Sequence, residues 1–448
     1  MLPTTTLSMF DGVRVVVPDS IDLITPYVLL EQQDWFEDEI KFLRRLLQPG
    51  HRVIDIGANY GLYTLSMART VGPLGCVWAF EPAADTAKLL AEGIAANDFS
   101  HVILETVALS SQPGEAQLSL NVNSELNSLV RGERPAGATE TVRVSTLDAC
   151  CQRFAWSDIT FVKIDAEGEE AKILEGGRRF FADQSPLVQY EVKHGSSVHF
   201  ELVERFRLIG YDSYRLIPGL DLLVPFGSKS IPDEYLLNLF CCKADRAEQL
   251  AAGGHLLDSK DGDPGVWIDS IRGILSESND SDSHNWRQTL AKMPYGETLA
   301  ALWRKRIFGE NDTLEVDKAL TLYACSRDSA LSQGQRYGAL EGSLELLEDL
   351  CERNSTYLRQ ASLARVARDC GARMLAVNTL QKLCNRFRER QPADMSEPFL
   401  APSERFDSLR PGESLGDWVL AGALEELERL GSFSSFYTGL SAKGRLET

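Results

Sequence analysis

Cysteine is present but never in the spacings that would make it structural. The nine cysteines are an odd number, no two stand C-x-x-C, and the doublets Cys150-Cys151 and Cys241-Cys242 cannot easily bridge to themselves. That pattern argues against bridged cysteines and suits buried free thiols in a reducing, cytoplasmic setting. The six histidines are too few and too scattered for a histidine-rich metal centre. Basic residues are in deficit: 46 Lys and Arg stand against 65 Asp and Glu, a formal net charge of −19. A phosphate backbone needs a basic face, so nucleic acid is not expected as the main partner. No apolar run reaches the roughly eighteen residues of a membrane span. The first residues, Met1 to Thr6, lack the basic and apolar regions of a signal peptide.

What is there is a soluble-protein composition, 44% hydrophobic and 25% charged, on 448 residues. That length calls for two or three domains. The first half is arranged around Val53-Ile-Asp-Ile-Gly-Ala-Asn-Tyr-Gly-Leu-Tyr63. An apolar strand breaks at Gly57 and restarts as a helix near Gly61, the opening unit of a doubly wound sheet. The glycines bring the backbone close to a ligand, and the new helix offers free N–H groups. The turn reads Gly-x-Asn-x-Gly, without the middle glycine that admits a pyrophosphate. A second short strand, Trp78-Ala-Phe-Glu-Pro82, ends in an acid 20 positions beyond Gly61. At that distance a carboxylate can hold a ribose diol. The pocket is therefore expected to take an adenosine with a small zwitterionic tail and no phosphates, which S-adenosylmethionine satisfies.

Around this core the chain reads in order. Residues 1–50 form a cap, with a strand pair near Gly12–Val17 and a helix from Asp34 to Leu47 that Pro49-Gly50 stops. Trp35 and Phe36, at the start of that helix, either line an acceptor site or simply pack. Residues 51–245 carry the nucleotide-binding sheet. A helix spans Ala83–Asn97, and a third strand, Val102–Leu109, leads to Ser110-Ser111, where an adenine edge would be read. Ala108 lies on that strand. A hairpin insertion follows over 113–147, and its segment 121–139 is expected to be a mobile loop over the site. A fourth strand ends in Lys163-Ile-Asp165, a fifth covers Leu187–Val192, and two more strands close the sheet.

The run Asp55-Ile-Gly-Ala-Asn-Tyr-Gly61, Phe80-Glu-Pro82, Thr146-Leu-Asp148, Lys163-Ile-Asp-Ala-Glu-Gly-Glu169, Glu191 and Asn238-Leu-Phe240 resembles the FkbM-type methyltransferases over residues 12–243. The resemblance implies a class I methyltransferase fold, a Rossmann-like seven-stranded sheet. It also implies transfer of a methyl group from S-adenosylmethionine to a hydroxyl of a saccharide or polyketide-like acceptor. Donor contacts would fall on Asp55, Gly57, Asn59, Gly61, Glu81, Pro82, Ala108 and Asp165.

Methyl transfer to oxygen needs the acceptor held in line with the sulfonium and its proton removed as the bond forms. Lys163 and Asp165 are two apart on one strand and so share a face. With Glu167 and His194 they make the catalytic shortlist. His194 has the most suitable ordinary pKa for a base. Asp165 could be a donor contact, the base or a metal ligand, and Lys163 could serve only to neutralise Asp165 or Glu191. No metal is assigned, because Asp165 with Glu191 lacks an evident third ligand.

Residues 246–290, rich in Asp, Ser and Gly, read as a linker with a short helix near Val266–Leu275. Residues 291–448 read as all-helical. A shift of 33 positions lays Leu344, Leu347, Leu350 and Cys351 on Val377, Leu380, Leu383 and Cys384, which fits either a tetratricopeptide-like repeat or a plain bundle. This region is a candidate for binding a protein partner or for self-association. Two rival readings stay open: an interaction scaffold with a vestigial methyltransferase half, and a methyltransferase acting on nitrogen or carboxylate.

Overall fold

The computed structural model describes residues 3–130, 137–194, 197–198, 200–227, 233, 235–257, 290, 292–298, 301, 312–390, 395 and 397–430. The amino-terminal cap is a hairpin, β1 (Thr4–Ser8) and β2 (Arg14–Pro18), and two helices, α1 (Ile24–Gln32) and α2 (Asp38–Leu46). Then come β3 (Arg52–Ile56), α3 (Leu62–Val71), β4 (Cys76–Phe80), α4 (Ala84–Ala96) and β5 (Val102–Glu105). The insertion holds β6 (Ala108–Leu109), β7 (Gly114–Ser119), β8 (Ser128–Leu129) and β9 (Thr139–Ser145). After α5 (Leu147–Phe154) the chain makes β10 (Ile159–Ile164), α6 (Glu170–Gly176), α7 (Arg178–Asp183) and β11 (Leu187–Glu191). A two-residue pair follows, β12 (Lys193–His194) with β13 (Ser197–Val198), then α8 (Glu201–Leu208), β14 (Asp212–Ile217), β15 (Leu222–Pro225), β16 (Asn238–Cys242) and α9 (Ala244–Ala252). The far half is helical: α10 (Asp312–Ser326), α11 (Gln333–Arg353), α12 (Tyr357–Asp369), α13 (Arg373–Arg388) and α14 (Leu415–Leu430).

The main sheet runs β15-β14-β16-β11-β10-β3-β4-β5. From β3 to β11 the pairings are parallel, while β16 lies antiparallel between β11 and β14. Without β15 this is the seven-stranded class I methyltransferase arrangement. The eighth strand, β15, corrects the expected count. It hairpins back on β14 and seats the helical half.

Alternate residues of each strand enter different cores, as a period of two demands when both faces are covered. Val53, Val77, Phe161 and Leu187 join α1 to α4 on one face. Ile54, Trp78, Val162 and Val188 join α5 to α8 on the other.

Four sequence expectations change here. The third strand is two: the chain bends at Thr106-Val107, where Val107 N–H bonds back to Glu105 O, and β6 pairs with β9 in the small insertion sheet. The first cap helix, α1, was not expected, because its apolar stretch carries Pro26, which the first helical turn tolerates. The second begins at Asp38 rather than Asp34, with acids in its first turn and Arg44 and Arg45 in its last, as the helix dipole favours. Past 245 the chain stays packed as far as Leu257, since Leu250 and Leu256 are buried against the sheet. The remainder of the expected linker, 258–289, including the helix at Val266–Leu275, lies outside the described residues, as do 131–136 of the insertion loop.

Helices α10 to α14 share one core with Ile217, Leu220, Leu222 and Val224 of the β14–β15 hairpin. The residues that the 33-position shift superposes lie on α11 and α13, and each set faces this core. The hairpin turn is docked on the end of α12: Gly219 N–H donates to Asp369 O at 2.9 Å, and the Arg327 guanidinium bridges Gly219 O and Asp369. A Cβ on Gly219 would sit 2.5 Å from Asp369 Cβ and 2.9 Å from its carbonyl oxygen. Gly219→Ala is therefore expected to cost about 1–3 kcal/mol through overpacking. Differential scanning calorimetry should show a lowered unfolding midpoint, and an unchanged midpoint would contradict this docking.

Candidate active site

The carboxyl ends of β3, β4, β5, β10 and β11 open on one cavity of about 250 Å³. It lies where the chain order reverses beside β3, the place where open α/β sheets bind ligands. Gly57 leaves β3 with φ +80°, and a Cβ there would stand 1.7 Å from Asp165 O. The missing side chain thus lets two strand exits close on each other, which adds to the ligand access inferred from sequence. Gly61 has φ +89°, and its Cβ would meet Leu90 Cδ1 at 2.2 Å. It serves helix packing there, beside the cavity wall that Ala58, Asn59, Tyr60 and Leu62 help to form.

Glu81 is 6% exposed. One carboxylate oxygen accepts Asn59 N–H at 2.8 Å and the other accepts Ala83 N–H at 2.9 Å. Burial pushes its pKa up to about 7, against those two bonds. Asn59 adopts φ +49°, and its Oδ1 accepts from Tyr60 N–H at 2.8 Å and Ser124 Oγ–H at 2.9 Å. Asp55, fully buried, accepts from Thr64 Oγ–H at 2.5 Å through Oδ2, while Oδ1 has no hydrogen-bond partner. Such an orphan acceptor in a ligand cavity fits an ammonium group. Pro82 and Ala108 also line the wall. Beside the expected adenine position at Ser110-Ser111, the wall is formed by Val107, Ala108 and Leu109, and Ser110 Oγ–H donates to Glu169 at 2.9 Å. These groups fit a nucleoside with a zwitterionic tail.

The other side of the cavity is acidic. Lys163 Nζ lies 2.7 Å from Asp165 Oδ2 and 4.8 Å from the Tyr63 ring centre. Burial would lower the lysine's pKa, but Asp165, Asp55 and Glu37 outweigh it and hold it charged. An ammonium so held is no base. Glu167 has φ +48°, the kind of strained backbone that gathers at functional sites. Burial, then Asp165 and Glu170, push its pKa up to about 8. Burial, then Asp165 and Glu167, push that of Glu191 to about 10. One oxygen each of Asp165, Glu167 and Glu191 lies within 4.8 Å of the others, so Glu167 is the third carboxylate that the sequence reading lacked for a metal. His194 follows β11 in the short strand β12. Its backbone pairs with Ser197, and its side chain lies outside the described residues.

Sequence reasoning missed Glu37 and Tyr63. Tyr63 O–H donates to Glu37 and accepts from Gln189 Nε2 at 3.3 Å. Glu37 ends the Trp35-Phe36-Glu37 run, and all three line the cavity, so the two aromatics did carry the signal. The insertion loop is pinned over the opening: Ile24 N–H donates to Asn123 Oδ1 at 3.1 Å, and Thr25 Oγ–H donates to Glu125.

Residues 55–213 match the family model of the methyltransferase FkbM domain. No curated protein matches. Among solved structures, methyltransferase FkbM from Methylobacillus flagellatus is 17% identical, with 44% of this chain and 45% of that one covered and a TM-score of 0.30. The chain thus spans under half of that relative. The O-methyltransferase from Bacillus cereus, in complex with SAH, is 15% identical over 46% and 80%, with a TM-score of 0.28. An rRNA methylase described from Clostridium thermocellum is 9% identical over 47% and 95%, with a TM-score of 0.29. Likenesses this distant say nothing about the acceptor.

Two outcomes follow from the buried carboxylates. Glu81 must be ionised to accept hydroxyls from a diol, so calorimetry should show S-adenosylhomocysteine binding weaken as pH falls through about 7. Glu81→Gln should lose about tenfold or more in affinity, the worth of a charged hydrogen bond. Glu191 holds its proton in the folded chain up to about pH 10, against 4.5 ordinarily. Its contribution is present in full below 4.5 and is lost as pH rises toward 10. Glu191→Gln should therefore raise the unfolding midpoint at about pH 8–9 and leave it unchanged at about pH 4, read by thermal melts across pH.

Proposed function

The chain carries an FkbM-type, S-adenosylmethionine-dependent methyltransferase domain, and from that premise we propose an O-methyltransferase acting on a hydroxyl of a saccharide or secondary-metabolite scaffold. The observation that carries this reading is the division of the cavity: a buried diol-accepting carboxylate on one side and a group of carboxylates around one ion-paired lysine on the other. The donor, when bound, supplies an electrophilic methyl group. Glu81 would accept the ribose hydroxyls, and Asp55 Oδ1 an ammonium N–H. Trp35 and Phe36 would pack against the apolar face of a ring. Of the shortlist, Lys163 pairs with Asp165 and holds it in place. Glu167 is the proposed base: it takes the hydroxyl proton as the acceptor oxygen bonds to carbon and the carbon–sulfur bond breaks.

Several features support this reading over its rivals. A carboxylate acceptor would add to the charge crowding that already pushes the Glu167 and Glu191 pKa values up. A vestigial half would have no use for an orphan acceptor on Asp55 beside the cavity. The net charge of −19 and the acidic wall favour an acceptor other than nucleic acid. Nine unbridged cysteines suit the cytoplasm. No helix of the described residues is long and apolar enough to cross a membrane.

The test compares glycans and small metabolites from cells with and without the gene, seeking a mass difference of one methylene. On the acceptor so found, turnover should rise with pH through about 8 as Glu167 ionises. Glu167→Gln should lose about 100-fold or more, and Asp165→Asn should move the pH profile toward acid. A full rate in Glu167→Gln would reject that base.

A further inference from the structure

The acceptor side of the cavity is not built by the matched domain alone. Trp35, Phe36 and Glu37 come from the cap, and Glu37 is the residue from which α2 starts. The first turn of α2 is fixed in part from within, by Lys41 Nζ at 2.9 Å from Asp38, and in part from the far half of the chain. Asp38 lies 3.6 Å from the Arg368 guanidinium at the end of α12. Burial would raise the Asp38 pKa, but Lys41 and Arg368 outweigh it and hold the carboxyl well below its ordinary range. Arg373, at the start of α13, bears electrostatically on Asp38 and Glu39 from the same side.

Arg368 is anchored within its own region. It lies 3.1 Å from Asp369, 3.4 Å from Glu426 on α14 and 3.6 Å from Glu404, and its side chain is 16% exposed. Asp369 is also the residue whose carbonyl holds the β14–β15 turn. One end of α12 therefore grips the sheet edge and the entrance of α2 together. On the other side of that entrance, Glu37 accepts from Tyr63 O–H and bears on Lys163 and Asp165. The path from the helical half to the reacting end of the cavity is four residues long: Arg368, Asp38, Glu37, Lys163.

We propose that the helical half is a working part of the acceptor site, with Arg368 as a positioning residue that holds α2 so that Trp35, Phe36 and Glu37 face the cavity. It touches neither donor nor acceptor. The pair is partly shielded, its side chains 16% and 27% exposed, and its loss would free the α2 entrance while leaving the glycine turn and Glu81 in place. This rests on the acceptor lying on the carboxylate side, as in the proposed reaction.

The test uses the full chain with Arg368→Gln, Arg368→Lys and, from the other partner, Asp38→Asn, in case the first variant fails to fold. Hydrogen exchange by mass spectrometry reads the amides of 33–40, and calorimetry reads S-adenosylhomocysteine. The expected result for Arg368→Gln and Asp38→Asn is exchange at 33–40 about tenfold faster. Donor-product affinity should stay within about twofold, and Arg368→Lys should restore most of the protection. In turnover on the acceptor, the loss should fall on kcat and acceptor KM while donor KM holds. Unchanged exchange at 33–40 would overturn the proposal. So would faster exchange spread over the whole chain that lysine does not rescue. Failure of the parent protein to bind S-adenosylhomocysteine would strike the methyltransferase reading and leave the exchange result standing.

Discussion

The close approach of Gly57 to the Asp165 carbonyl is the constraint on which the site depends. Two neighbouring parallel strands end together, Asp165 N–H donates to Ile56 O at 3.1 Å, and a single Cβ would fill the gap. Because the strands can close there, the backbone turns outward at Gly57 on one side and at Asp165 on the other. One exit leads to Asn59 and the N–H that orients Glu81. The other leads to Glu167 and the acidic wall. Substituting this glycine would part the two strand ends before it ever touched a ligand.

The second constraint is electrostatic. Eight carboxylates line one cavity with Lys163, among them Glu37, Asp55, Asp165, Glu167 and Glu191. One ammonium cannot neutralise them all. The folded chain answers by keeping some protonated and pairing others, so the site stores unfavourable charge that ligand and proton binding can relieve. This crowding needs an enclosing wall. The cap and the insertion loop supply it, through Trp35 and Phe36 on one side and the Asn123 and Glu125 bonds to α1 on the other.

The sequence made the domain's frame readable because local chemistry decides it. A strand entering a glycine turn, an acid 20 residues on and a Lys-Ile-Asp exit are each set by neighbours in the chain. What it hid depends on distant partners. Glu37 reads as an ordinary acid ahead of a helix until Tyr63 and Lys163 arrive from elsewhere. Gly61 reads as a ligand glycine, and its close packing against Leu90 shows only once α4 is in place. The strand from Val102 to Leu109 reads as continuous, since the bend at Thr106 follows from β6 joining a different sheet. The helical half carried leucine spacing but no sign of its tie to α2, because a single Arg368–Asp38 pair leaves no periodic trace.

The central claim is that Glu81 and the Gly57 turn hold an adenosine whose sulfur end faces Asp165 and Glu167. The most direct measurement is an experimental structure of the full chain with S-adenosylhomocysteine bound. The account expects ribose hydroxyls on the Glu81 carboxylate, the amine beside Asp55 Oδ1 and the sulfur turned toward the Lys163–Asp165 pair. A ligand seated elsewhere, or one in this cavity with Glu81 turned away from its ribose, would contradict it.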